Sequence, residues 1–189
     1  MKSVLLSGSL RANVGKKDAK ATRVARKVPC VLYGGKSQVH FSADEAAFKP
    51  LIFTDAVQTV DIEIADQKFQ AILQDVQYHP ISDKIIHVDF LEVSNSKPVT
   101  IAIPVQIVGS APGVREGGKL VKKQRKLKVK ALLNDLPDTI EVDISNLGIG
   151  NSVRIKDLTT PKVTFLDGGN IEVVAVTSTR ASRQAEENK

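Results

Sequence analysis

A mainly β protein with two domains is what this sequence predicts. Apolar and polar residues alternate with a period of two through most of the chain, as half-buried strands require. Clusters of Gly, Pro, Asn and Asp separate these runs, with no long helical pattern between any pair. That spacing favours an antiparallel sandwich or barrel over a parallel βαβ sheet. At 189 residues the chain also exceeds the usual size of one domain, roughly 100–150 residues.

The first segment is basic, with Gly8 and Gly15 as flexible points, and Val31-Leu32 ends a strand before Gly34-Gly35. One helical signal stands out: Ser42 as a cap, Asp44 and Glu45 suiting the positive end of the helix dipole, and Ala46 to Phe48 continuing to a break at Pro50. Val60 to Ile64 alternates cleanly, a turn is expected over 65–68, and Phe69 to Tyr78 returns as the second strand of a hairpin. After a bend at 79–83, Ile85 to Val93 places Ile86, Val88 and Phe90 on one face and Ile85, His87, Asp89 and Leu91 on the other. Ser94 to Pro98 favours turns and marks a domain boundary.

Beyond that boundary, strands are expected at Val99–Val108, Lys126–Leu133, Thr139–Ile144, Ser152–Ile155, Lys162–Leu166 and Ile171–Thr177. Pro104, which has no N–H to donate, places the first of them at an edge or a bulge. Residues 180–189 are polar and expected to be a flexible tail.

The chain has 27 Lys and Arg against 21 Asp and Glu, a net charge of +6. Residues 1–27 and residues 115–130 carry +7 each, which leaves −8 on the remainder. Basic character concentrated in this way points to a polyanionic partner, because a merely solvated surface mixes its signs. The single cysteine, Cys30, excludes an intrachain disulfide, and no apolar run approaches the roughly 18–20 residues of a membrane span. Val4 to Leu6 is too short for a secretory core, so a soluble, reducing, cytoplasmic setting without a membrane partner is expected.

The first basic segment brings Arg11, Lys16, Lys17, Lys20, Arg23, Arg26 and Lys27 within reach of one polyanion. Lysines suit phosphates as mobile point charges, whereas arginine can fork onto a guanine edge, so Arg11 and Arg23 are expected to add specificity. Tyr33, at a strand end beside two glycines, can meet a ribose or base. His87 and Asp89 share a strand face, where an imidazole can donate to phosphate and a carboxylate can accept from a base amino group.

Other chemistries fit poorly. His40, His79, His87 and Cys30 do not complete a metal set of three or four ligands. Gly113 to Lys119 has the glycine-to-lysine spacing of a P-loop, but Leu120 lacks the hydroxyl needed for magnesium and no helix is expected behind the loop. No nucleophile and base can be assembled. No cofactor, small-molecule substrate or enzymatic step is expected. The run from Lys119 to Lys130 is read equally as a charged guard on a strand edge or as a binding surface.

Val28-Pro29-Cys30-Val31-Leu32-Tyr33-Gly34-Gly35, Leu73-Gln74-Asp75-Val76-Gln77-Tyr78-His79-Pro80 and His87-Val88-Asp89-Phe90, in this order, resemble the bacterial ribosomal protein L twenty-five family. Pro98-Val99 leading to Pro104-Val105, Gly113-Val114 before Gly117-Gly118, and Ile140 to Ile144 running through Leu147 to Gly150 and Asp157-Leu158 resemble its long two-domain form, also called general stress protein CTC.

The resemblance implies an N-terminal β-barrel domain with short helices over residues 1–94 that binds 5S rRNA at its loop E. It also implies a second antiparallel β domain over 98–179, on the outer side of the central protuberance of the large ribosomal subunit. It assigns RNA contact to Arg11, Arg23, Tyr33, His87 and Asp89, with Lys20 standing where the family often has a further arginine. Neighbouring ribosomal proteins are further expected partners. The alternative is an RNA-binding stress or assembly factor acting off the ribosome.

Overall fold

The computed structural model describes residues 2–180, apart from residues 36, 55, 66, 95 and 161. The chain forms two compact units, Met1–Lys97 and Pro98–Lys189. The expected turn at 65–68 and the boundary at 94–98 each include a residue outside the described set, and the tail beyond Arg180 lies outside it altogether.

The N-terminal unit is a closed six-stranded barrel. Strands β1 (Lys2–Leu10), β2 (Lys27–Tyr33), β3 (Val39–Asp44), β4 (Gln58–Ile64), β5 (Gln67–Tyr78) and β6 (Ile85–Glu92) follow the spatial order β1-β3-β2-β6-β5-β4, and β4 closes onto β1. Two of the seams, β1 with β4 and β2 with β6, are parallel. Alternation sends Leu6, Cys30, Leu32, Ile62, Val88 and Phe90 inward. Phe41, Phe48 and Phe90 form two ring contacts at 5.9 and 6.4 Å between centroids, each worth about 0.5–1.5 kcal/mol beyond the area buried. Burial pushes the Cys30 thiol far above its ordinary range, so it stays protonated and inert in the folded unit.

Two expectations about helices are corrected. Ser42 belongs to β3 rather than capping a helix, because β3 pairs with both β1 and β2 and Ser42 is buried with its hydroxyl 3.1 Å from that of Ser9, while Asp44 ends β3 and takes the N-cap position of the turn that follows without a side-chain bond. Pairing on both edges overrides a local cap signal. The helical stretch starts later, as a 3-10 turn at Glu45–Phe48 followed by α2 (Lys49–Ile52), and Pro50 sits in the first turn of α2, where its missing N–H costs nothing. Conversely, the basic segment contains a nine-residue helix, α1 (Lys16–Val24), numbered here in chain order ahead of α2.

A β-bulge in β5 decides which residues face outward. Leu73 pairs with Phe90, but Asp75 pairs with Asp89, so Gln74 is an extra residue. Leu73 and Val76 therefore both pack toward the core, while Asp75 and Gln77 turn outward.

The C-terminal unit contains two sheets. One has the order β10 (Ile140–Asp143), β7 (Val99–Val108), β9 (Lys126–Ala131), β12 (Thr164–Phe165); the other is β11 (Ser152–Arg154), β13 (Glu172–Thr177), β8 (Lys119–Lys122). Pairing is antiparallel except between β7 and β10.

Strand β7 is interior, contrary to the edge or bulge expected from Pro104. The proline is accommodated because β7 changes partner there: it pairs with β9 through Pro104 and with β10 from Val105. The Val105 N–H donates to Arg125 on the β9 side, so the nitrogen of Pro104 faces the opposite edge, just before β10 begins.

Candidate nucleic-acid interface

Tyr33, His87 and Asp89 share the outer wall of the barrel. Residues that alternate with the buried Cys30, Leu32, Val88 and Phe90 must face outward, which gives Val31 and Tyr33 on β2 and His87, Asp89 and Leu91 on β6. The register then sets the neighbours. Asp89 lies between Val31 and Asp75, His87 is opposite Gln77, and Tyr33 is beside Leu91. Gly34 turns the chain immediately after Tyr33 at φ +97°, where a Cβ would stand 2.6 Å from Leu91 Cδ1. The ring is thereby held at the rim of the sheet.

Asp75 and Asp89 are directly opposed, an arrangement that is unfavourable for like charges. His87 lies against it: its Nδ1 stands 2.6 Å from Asp89 Oδ1, and each of the two side chains is 29% exposed. That approach is close without the alignment of a hydrogen bond, and Oδ1 is fully covered. The exposure of Asp89 therefore falls on the rest of its side chain.

The Tyr33 phenol is pushed above its ordinary value by burial first, then by the carboxylates of Asp89 and Asp75. Burial, followed by Asp75, does the same to Tyr78, the only other tyrosine. Both phenols remain donors at neutral pH. Spectrophotometric titration of the phenolate absorbance is expected to show both ionising above the ordinary value of about 10 in the folded protein and at it in denaturant. A folded value raised in this way contributes stability that is complete below the unfolded value and is lost as pH rises through the folded one.

Helix α1 packs against β2 beside this wall. It buries no residue and has Gly15 at its N-cap without a side-chain bond, so propensity alone would leave nine residues marginal. Arg11, just after β1, holds it instead. The guanidinium is 8% exposed and donates from Nε (2.9 Å) and Nη2 to Asp18 Oδ2 in the first turn, while the Arg11 backbone N–H donates to His40 O at 3.0 Å. A second tie is Arg23 Nε, which donates to Ile86 O of β6 at 3.0 Å and leaves the terminal nitrogens Nη1 and Nη2 uncommitted to that bond.

Lys16, Lys20 and Arg23, at i, i+4 and i+7, form one exposed stripe, with Lys17 to its side. The structure thus puts Lys16, Lys17, Lys20 and Arg23 on a helix that packs against β2, bonds Arg23 to β6 at the residue before His87, and sets Arg11 as the clamp of that helix. Residue-type reasoning passed over Gln77 and Asp75. Their signal is the break in alternation across Leu73-Gln74-Asp75-Val76, the mark of a bulge.

The remaining sequence candidates have other places. His79 Nδ1 lies 3.3 Å from the backbone N–H groups of both Ile81 and Ser82 and shapes the bend there. Among the described residues no three His, Cys, Asp or Glu side chains gather as a metal site, and no helix is long and apolar enough to cross a membrane. The P-loop-like segment begins in a single helical turn, α3 (Pro112–Arg115), and leads into β8, and its first glycine makes a close backbone contact. A Cβ on Gly113 would lie 2.5 Å from Ile149 N and 2.6 Å from Gly148 C.

A small barrel with a basic helix clamped onto a polar sheet wall presents cations and hydrogen-bonding side chains on one unit. Comparison with known proteins specifies the family. Residues 6–90 match the Ribosomal L25p family and residues 98–180 match Ribosomal protein TL5, C-terminal domain. The chain is 44% identical over 186 residues to the large ribosomal subunit protein bL25 of Cytophaga hutchinsonii, covering 98% of this chain and 97% of that one. It is 41% identical over 187 residues to the protein of the same name from Porphyromonas gingivalis, with the same shares covered. The chain belongs to the bL25 family of ribosomal proteins, in its long two-domain form, and its role is structural and not enzymatic.

Proposed function

We propose that this protein is a constituent of the large ribosomal subunit and binds 5S rRNA within the central protuberance through the outer barrel wall and α1. The observation that carries the proposal is a helix bearing four cations that packs against β2, the strand of Tyr33, and is bonded through Arg23 to β6, the strand of His87 and Asp89. Lys16, Lys17 and Lys20 neutralise phosphates, a contribution to affinity that falls as salt rises. Arg23, fixed by its Nε, presents its terminal nitrogens in a defined direction. Tyr33 donates its phenol or stacks, Asp89 accepts through Oδ2, and His87 and Gln77 reach sugar or base edges.

Recognition is by shape: an irregular RNA helix with a widened minor groove, such as loop E, admits a sheet wall. Arg11 enters through Asp18, by holding α1 in place. Neighbouring ribosomal proteins complete the set of partners, and the setting is the bacterial cytoplasm.

Titration with 5S rRNA tests the assignment. Arg23→Ala and Tyr33→Ala are each expected to cost about 1–3 kcal/mol of binding. Lys162→Ala, in the other unit and paired with Asp135 at 3.1 Å, is expected to leave binding unchanged. Equal small losses in all three would remove the barrel wall as the interface.

A further inference from the structure

The second basic run divides into two populations. In β8, an edge strand of its sheet, Lys122 donates to Val105 O, and just after the strand Lys123 pairs with Glu172. These cations are engaged within the unit, and at an edge they also guard against pairing with another chain. Strand β9 differs in its place in the sheet. It is interior, paired with β7 along Lys126–Ala131 and with β12 at Val129 and Lys130. Beyond β12 its edge is closed by the Leu166 N–H on Lys128 O and by Asp167 Oδ2, which accepts from the Lys128 N–H at 2.8 Å. Edge protection therefore gives no reason for lysines on β9.

Alternation nevertheless exposes Lys126, Lys128 and Lys130 together on the outer face of this sheet. Successive members are about 6.6–6.8 Å apart along the strand, close to the separation of neighbouring phosphates on one nucleic-acid strand. Beside Lys130 the residues in register are small, Thr100 on β7 and Thr164 on β12, and Lys128 lies between Ala102 on β7 and Leu166 just past β12, whose side chain is 51% exposed. On the far side of the sheet Glu141 and Asp143 face outward, and the hydrogen bonds from Ser145 hold the Asp143 carboxyl below its ordinary range.

We infer that the β9 lysines form a second RNA contact, on the C-terminal unit, that grips the phosphate backbone of ribosomal RNA without reading sequence. An even row of point charges suits a continuous backbone, and the β10 carboxylates confine a polyanion to the β9 half. The inference rests on membership of a ribosomal family and is independent of the barrel wall.

The test uses the full chain with Thr164→Cys carrying a chelated iron that cleaves nearby RNA backbone, bound to deproteinised large-subunit ribosomal RNA. Buried Cys30 does not take the label. Scission from residue 164 is expected, falling at least fivefold with Lys128→Gln and Lys130→Gln together while the thermal unfolding of the chain is unchanged. The same pair should flatten the salt dependence of binding by roughly 1.5 in log–log slope. Scission no greater than from a label at Asn146→Cys, scission indifferent to the lysine changes, or protection by polyglutamate as effective as by competing RNA would each overturn the inference. Loss of preference for 5S rRNA, by contrast, bears only on the barrel wall.

Discussion

Asp18→Ala is expected to weaken binding of 5S rRNA by about 1–3 kcal/mol, although it removes the only acidic side chain between residues 1 and 27. Electrostatics taken alone predicts the opposite, since the helix would gain net positive charge. The geometry decides for weakening. Asp18 accepts both the Nε and the Nη2 bond of Arg11, whose side chain is 8% exposed, and this pair ties a helix with no buried residue to the barrel. Without Asp18 a nearly buried guanidinium loses its partner, and α1 loses the anchor that aligns Lys16, Lys20 and Arg23. Asp18→Asn, which keeps an acceptor for Arg11, should fall between the two. RNA titration together with helix content from circular dichroism checks the prediction, and tighter binding by Asp18→Ala would show that α1 needs no anchor.

Gly113→Ala should be the most damaging single change in the C-terminal unit, at about 2–4 kcal/mol. The atoms that an added Cβ would meet are backbone, Ile149 N at 2.5 Å and Gly148 C at 2.6 Å, and cannot rotate aside as a side chain can. The same glycine donates to Leu147 O at 3.1 Å and accepts from the Gly118 N–H at 2.8 Å, so displacing it disturbs the start of β8 as well. For a unit of this size the loss corresponds to a fall in unfolding temperature of roughly 10 °C or more. Unfolding followed by calorimetry checks the stability of the C-terminal unit. The inertness of Cys30 to thiol reagents, expected to persist, reports separately on the barrel.

The strands that bury one face were the most legible part of the sequence. Val60 to Ile64, Phe69 to Tyr78 and Ile85 to Val93 were read from their alternation, and they form β4, β5 and β6 with ends shifted by one or two residues. Helix α1 was not legible because nothing in it is buried, so no apolar period marks it; it depends on Arg11, seven residues upstream of Asp18. Ser42 was misread because its partners, β1 and β2, are distant in sequence or lie behind a turn. Residue types supplied the basic and polar members of the interface, but not Gln77 opposite His87, which depends on the bulge at Gln74. Nor could the sequence separate the lysines of β8 from those of β9, since the difference is whether each strand is an edge or an interior member of its sheet.

The most direct test of the central claim compares binding of the full-length protein to 5S rRNA and to an unrelated structured RNA of equal length across a salt series. A preference for 5S rRNA that survives moderate salt is the expected result, because Arg23, Tyr33, His87 and Asp89 contribute contacts that do not depend on counterion release alone. Equal affinity for both RNAs with the same steep salt dependence would contradict it, and would reduce the barrel wall and α1 to a general polyanion surface.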